Sequence, residues 1–232
     1  KGERGLPKLL PGLNFIAGLN GETKKSYDMN LKLLEDLRSD GLWLRRINIR
    51  QVEGQGFQEI SESDFRSFKK KVREEIDKPL LEEIFPIGSE LSKIWWESQG
   101  DRIRRPEQVK DPLFRSSSIY GKSGITFGRQ IGAYPILIGV PYLIPLETSS
   151  NILVTGHGMR SISGVEIGLD INSVSQQQLE SIPGIGKKAA WRIISSRAKA
   201  SRSSKIPFDS VEMAFEMAQV DLSPIAEKVL SI

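Results

Sequence analysis

The sequence predicts an α/β segment, then an all-β segment, then an all-α one, and three observations predict it. Strand-like and helix-like apolar periods alternate through the first part of the chain. Glycines and prolines recur at short intervals from Asp111 to Leu169, between β-rich runs. Helical spacing returns from Asn172 onward. The corresponding domains are residues 1–110, 111–170 and 171–232, and 232 residues are enough for more than one core.

In the first segment, Leu13–Ala17 (LNFIA) is a short apolar run between Gly12 and Gly18, the pattern of a buried parallel strand. Tyr27, Leu31, Leu34 and Leu37 then recur at helical spacing, and Asp40-Gly41 supplies a C-terminal stop. LWLRRINIRQV, Leu42 to Val52, reads as the next strand. Strand, helix and strand over so short a stretch make a βαβ unit, which requires parallel pairing. Residues 53–59 read as a loop. Phe65, Phe68, Val72 and Ile76 resume helical spacing after Ser61 and Ser63, either of which can cap a helix.

The middle segment contains GITFGRQI, YPILIGVPYLIPL and NILVTG, short β-rich runs separated by turn residues. That spacing predicts a small antiparallel barrel. In the last segment, a run of helical pattern from Ile171 to Arg197 is followed by an echo offset by 36 residues. Phe215, Ala218, Ala226, Val229 and Leu230 match Leu179, Ile182, Ala190, Ile193 and Ile194.

Composition removes several function classes. There is no Cys, which excludes disulfides, thiolate metal sites and an iron–sulfur cluster held by this chain alone. His157 is the only His, so most zinc and triad chemistry goes too. The longest apolar run, 133–144, is broken by Pro135, Gly139 and Pro141, and falls short of the roughly 20 residues a membrane helix needs. With no secretory pattern, the expectation is a cytoplasmic protein without a membrane partner. The net charge of +4 is unevenly spread. Seven basic and no acidic residues lie between Ser181 and Lys205, whereas five acidic residues and one Lys follow. A polyanion partner for one face is the natural reading.

INSVSQQQLESIPGIGKKAAWRIISSR, Ile171 to Arg197, resembles the helix-hairpin-helix nucleic-acid-binding family. Asn172, Ser173 or Ser175 can cap the first helix, and Pro183 ends it. Gly184 and Gly186 permit the tight hairpin, Ile185 plugs it into the core, and Ala189, Ala190, Ile193 and Ile194 give the second helix its apolar face. Backbone N–H groups at the hairpin can then meet a phosphate oxygen, with Lys187 and Lys188 adding charge. No base-edge reader is evident, so the resemblance implies contact with RNA or DNA backbone and little sequence specificity. The alternative is that PGIG makes only a tight turn. In the echo, Val220-Asp221-Leu222 replaces the glycines, which predicts packing without phosphate binding.

LPGLNFIAGLNGET, Leu10 to Thr23, resembles the fifth strand and following turn of radical S-adenosylmethionine enzymes, with Asn20 where Pro is common. LRRINIRQV resembles the sixth strand of archaeal members that also carry a β-barrel and a C-terminal helix-hairpin-helix. GITFGRQIGAYPILIGVP and HGMRSISGVEI resemble the accessory β-domain of that subgroup, which is similar to small RNA-binding barrels of tRNA-modifying relatives. The resemblance implies that the chain begins inside a (β/α) barrel and holds its last strands. It also implies S-adenosylmethionine and a 4Fe–4S cluster as cofactors of the full-length protein, bound through cysteines this chain lacks, so the chain alone should be inactive and bind neither. A non-enzymatic nucleic-acid-binding protein on an α/β scaffold is the alternative.

Strand alternation puts Arg46, Asn48 and Arg50 on one face and Ile47 and Ile49 on the other, while Asn14 and Ile16 share a face of the earlier strand. By resemblance, Ile16, Gly18 and Asn48 line the adenosyl side, with Glu22 in the turn. The alternatives are a first-turn acid for Glu22 and outer ion pairing for Arg46 and Arg50. Trp95 and Trp96 point apart, one into a core and one to a surface. His157 has a structural role in a turn. Arg102, Arg104 and Arg105 belong either to the electropositive surface or to a solvated linker.

Overall fold

The computed structural model describes residues 10–44, 46–52, 54, 61–100, 124–131, 136–158, 161–202 and 206–232. They form two compact units. One consists of the described residues up to Pro86 together with His157 and Gly158; the rest form the other.

In the first unit, β1 (Gly12–Ala17) leads through α1 (Lys24–Ser39) to β2 (Arg46–Gln51). The two strands pair in parallel, with Asn14 opposite Asn48 and Ile16 opposite Arg50. The βαβ expectation therefore holds, although β2 starts later than Leu42. Its start is delayed by the way α1 ends. Gly41 takes φ +74°, its N–H donates to Arg38 O, and Leu42 N–H donates to Leu37 O, so the preceding residues serve the helix stop. α2 (Glu62–Lys71) is capped by Ser61, whose hydroxyl accepts from Asp64 N–H at 3.3 Å. It continues through a π-helical stretch, Val72–Asp77, into α3 (Lys78–Ile84).

Leu13, Phe15, Ala17, Ile47 and Ile49 face a core that includes Tyr27, Leu34, Phe65, Phe68 and Val72. Tyr27 stacks on Phe68 with ring centroids 5.2 Å apart. The opposite sheet face, with Gly12, Asn14, Ile16, Arg46 and Arg50, is exposed. The loop expected over 53–59 lies outside the described residues apart from Gly54.

The second unit opens with a closed five-stranded barrel: β3 (Glu90–Gly100), β4 (Ile125–Gln130), β5 (Leu137–Val140), β6 (Ser149–His157, of which the last residue groups with the first unit) and β7 (Ser161–Glu166), in the ring order β3-β4-β5-β7-β6. Two sequence expectations need correcting. The barrel is mixed, because β5 and β7 pair in parallel. Five strands cannot alternate direction all the way round a closed ring, so one like-directed pair is unavoidable. The barrel also takes its first strand from Glu90–Gly100, upstream of the boundary at 111. A bulge between Leu91 and Ile94, with Lys93 at φ +56°, breaks the two-residue period there and hides the strand.

Trp96 is fully buried and donates from Nε1 to Ser150 Oγ at 2.9 Å, whereas Trp95 is 40% exposed. They point apart as expected. Gly128 is required beneath them, since a Cβ would lie 2.5 Å from Trp95 O and 2.6 Å from the Trp96 ring. Thr126 is buried, donating to Tyr142 O and accepting from Ile144 N–H, each at 2.8 Å.

After the barrel come β8 (Leu169–Asp170), α4 (Gln176–Glu180), α5 (Lys187–Ala200), α6 (Val211–Ala218), α7 (Pro224–Val229) and β9 (Leu230–Ser231). β8 and β9 pair in parallel and tie the end of this region to its beginning. Asn172 makes a reciprocal clamp on Phe208, donating to its carbonyl at 3.0 Å and accepting from its N–H at 2.9 Å. The fold is thus a mixed α/β protein, a barrel plus helices. Among the described residues no helix is long and apolar enough to cross a membrane.

Candidate nucleic-acid interface

α4 begins at Ser175, whose hydroxyl accepts from Gln178 N–H while Gln178 Oε1 accepts from Ser175 N–H. Of the three candidate caps, Ser175 is the one used. The helix stops after one turn, and Ile182 and Ile185 turn inward at 1% and 4% exposure. Ile185 N–H donates to Ile182 O at 3.0 Å, closing the hairpin. Gly184 sits at φ +93°, where a side chain is strained. Gly186 takes ordinary extended angles and is the N-cap of α5, with no side chain to accept from the first-turn amides. Nothing lies within 4 Å of where its Cβ would be.

Gly184, Gly186, Lys187 and Lys188 are all exposed, and Ile185 is the plug beneath them. Ala190 and Ile193 are fully buried, holding α5 to the unit. The structure therefore brings all five hairpin residues together at one turn. The N-terminal end of a 14-residue helix faces outward there, bearing two lysines. Such an end carries outward N–H groups and partial positive charge, and suits an oxyanion.

The basic run divides into two groups. Arg197 is half-buried and donates through Nη1 to Ile171 O at 3.1 Å and Val174 O at 2.8 Å. Burial holds its pKa below the usual arginine value, with the nearby Asp170 carboxylate acting in the opposite direction. Arg192 reaches Gln219 O at 3.3 Å, the cap of α6. Both brace the fold. Lys187, Lys188, Lys199 and Arg202 are exposed. So is Trp191, 61% exposed on α5 one turn past the lysines. Sequence reasoning overlooked Trp191; its position four residues after Lys187, off the Ala190–Ile193 apolar stripe, was the available signal.

The first unit holds the other candidate residues. Ile16 is 50% exposed on the open sheet face. On the same face Asn48 Nδ2 donates to Asn14 Oδ1 at 2.9 Å. Glu22 folds back, and its Oε2 accepts from Gly18 N–H at 2.5 Å and Leu19 N–H at 3.2 Å. It locks the turn ahead of the Thr23 cap, so the first-turn acid of α1 that the sequence offered as an alternative is not formed. Arg46 and Arg50 are exposed beside Asn48. His157 is the last residue of β6 and not part of a turn as expected, and its Nε2 is 2.6 Å from Phe85 O, a structural hydrogen bond. Arg102, Arg104 and Arg105 lie outside the described residues. A crevice of about 350 Å³ lined by Glu35, Arg38, Ser39, Glu75 and Ile76 contains none of these groups. Among the described residues no set of three or more His, Asp or Glu could hold a metal ion.

No family model matches the chain. It is 34% identical over 199 residues, 81% of its length, to an uncharacterized protein of Archaeoglobus fulgidus. It is likewise 34% identical over 175 residues, 71% of its length, to the uncharacterized protein MJ0274 of Methanocaldococcus jannaschii. These matches cover 33% and 28% of the two relatives, so the chain spans a third or less of the curated relatives it matches.

Proposed function

We propose that the chain is the C-terminal, nucleic-acid-engaging portion of a radical S-adenosylmethionine enzyme. In this reading α4 and α5 form a helix-hairpin-helix that grips a phosphate backbone without reading sequence. The single observation that carries it is the hairpin itself: Gly184 at positive φ, an uncapped Gly186, and two exposed lysines on one outward turn. The barrel supports the same reading, since five strands in the order first, second, third, fifth, fourth match the Greek-key layout of oligonucleotide-binding barrels.

The barrel-enzyme half of the proposal rests on the first unit. A parallel sheet is stable in water when both faces are covered, yet among the described residues β1 and β2 are covered by helices on one face only. The open face carries Ile16 and Asn48, two of the three positions that the family resemblance assigns to the adenosyl side; the third, Gly18, is buried. The relatives' greater length leaves room for further strands. The donor set of this chain does not fit an iron–sulfur cluster, because it has no Cys. For S-adenosylmethionine, Glu22 is engaged by the Gly18 and Leu19 amides and Asn48 by Asn14, and Ile16 is the exposed one of the four candidates.

The experiment is a fluorescence-anisotropy titration of a labelled duplex across salt. Binding at roughly 10⁻⁴ to 10⁻⁶ M, with a log–log salt slope of about −2 to −3, is expected for contact with two or three phosphates. No binding, or binding insensitive to salt, overturns the nucleic-acid half. Anaerobic reconstitution of the full reading frame tests the other half. A full-length protein without iron–sulfur absorbance favours a non-enzymatic binding protein built on the same α/β scaffold.

A further inference from the structure

The outward side of α5 is more than a hairpin flank. Lys187, Lys188, Trp191, Arg192, Ser195 and Lys199 recur at three- and four-residue spacing, which puts them along one side of the helix, and Arg202 follows one turn on. No Asp or Glu occurs between Lys187 and Arg202. Amid these cations stands Trp191, 61% exposed. Its i+4 and i+7 neighbours are Ser195 and Ala198, too small to cover it.

Trp191 is among the most exposed large hydrophobic side chains described, and it stands on a helix whose other side supplies the core. A cationic stripe around it selects a polyanion as its partner, and an exposed indole among cations selects one with an accessible flat π-face. Stacked bases inside a duplex offer their edges, whereas an unpaired base offers its face. We propose that this side of α5 binds a single-stranded stretch adjoining the backbone held at the hairpin. Trp191 stacks on the first unpaired base, and Lys188, Lys199 and Arg202 follow the strand's phosphates. The preferred substrate is then a duplex with a single-stranded tail. This rests on the nucleic-acid reading of the hairpin and specifies its substrate.

The test compares a blunt duplex with the same duplex carrying a single-stranded tail, using parent, Trp191→Ala, Trp191→Phe and Lys199→Glu/Arg202→Glu. The parent should bind the tailed form about tenfold or more tightly, within the range expected for one stacked base. Trp191→Ala should lose that preference while binding the blunt duplex as the parent does, and Trp191→Phe should keep most of it. Tail binding should quench tryptophan fluorescence in the parent and much less in Trp191→Ala. The paired charge reversal should lower the salt slope for the tailed form by about 2 and leave the blunt-duplex slope unchanged. Equal binding of tailed and blunt forms by the parent, or an unchanged preference in Trp191→Ala, overturns this inference and leaves the hairpin reading standing. Failure of the parent to bind either form overturns both.

Discussion

The two helical hairpins at the end of the chain are built on one apolar plan and differ at the turn. Leu179, Ile182, Ala190 and Ile193 are buried in the first, and Phe215, Ala218, Ala226 and Val229 are buried at matching positions in the second. The second turn passes through Gln219 at φ +54° and caps α7 with Ser223, whose hydroxyl accepts from Ala226 N–H at 3.1 Å. The first turn passes through Gly184 and caps α5 with Gly186, which has no side chain to offer. A Cβ at Gly184 would lie 3.7 Å from Ser223 Oγ, so the two turns lie side by side. What the pair teaches is that the core can be conserved while the helix end is changed. Ser223 consumes an amide internally; Gly186 offers no side-chain acceptor at the equivalent end.

The largest effect should come from breaking the first turn. Gly184→Val with Gly186→Val should abolish duplex binding in an anisotropy titration. It should also cost about 1–3 kcal/mol of stability, because a β-branched residue is strained at φ +93°. Next comes the removal of the second cap. Ser223→Ala should cost about 1 kcal/mol in a denaturant melt and leave duplex affinity unchanged. Gly186→Ser makes the first turn more like the second, and its Cβ has open space to enter. It should stabilise by roughly a few tenths of a kcal/mol while weakening duplex binding severalfold. A serine that strengthened both would contradict the idea that those amides await a ligand. Asp221→Ala, in the exposed second turn, should change neither quantity measurably.

Local patterns were legible and closures were not. The βαβ unit could be read from LNFIA, the Tyr27–Leu37 spacing and Asp40-Gly41, because each is short-range chemistry. The hairpin was legible for the same reason, down to Ile185 as its plug. β3 was not, since Lys93 in a left-handed conformation puts Leu91 and Ile94 three residues apart on the same side. The parallel β5–β7 pair was hidden because pairing direction depends on strands distant in sequence. Within the candidate interface, charge alone could not separate Arg197 from Lys199. Only the fold reveals that Arg197 is spent on Ile171 and Val174 carbonyls. Glu22 is neither the first-turn acid of α1 nor the open turn position expected of it, because it precedes the Thr23 cap and is bonded to the Gly18 and Leu19 amides.

The most direct test of the account is the charge reversal Lys187→Glu with Lys188→Glu, measured by anisotropy against a labelled duplex over a salt series beside a thermal melt. Both lysines are exposed in the first turn of α5, where acidic side chains suit the helix dipole, so the melting temperature should not fall below the parent's value. Affinity should fall at least about tenfold, and the log–log salt slope should move toward zero by about 2. A variant that stays folded and binds with the parent's affinity and slope would contradict the account and leave the first hairpin, like the second, a packing device.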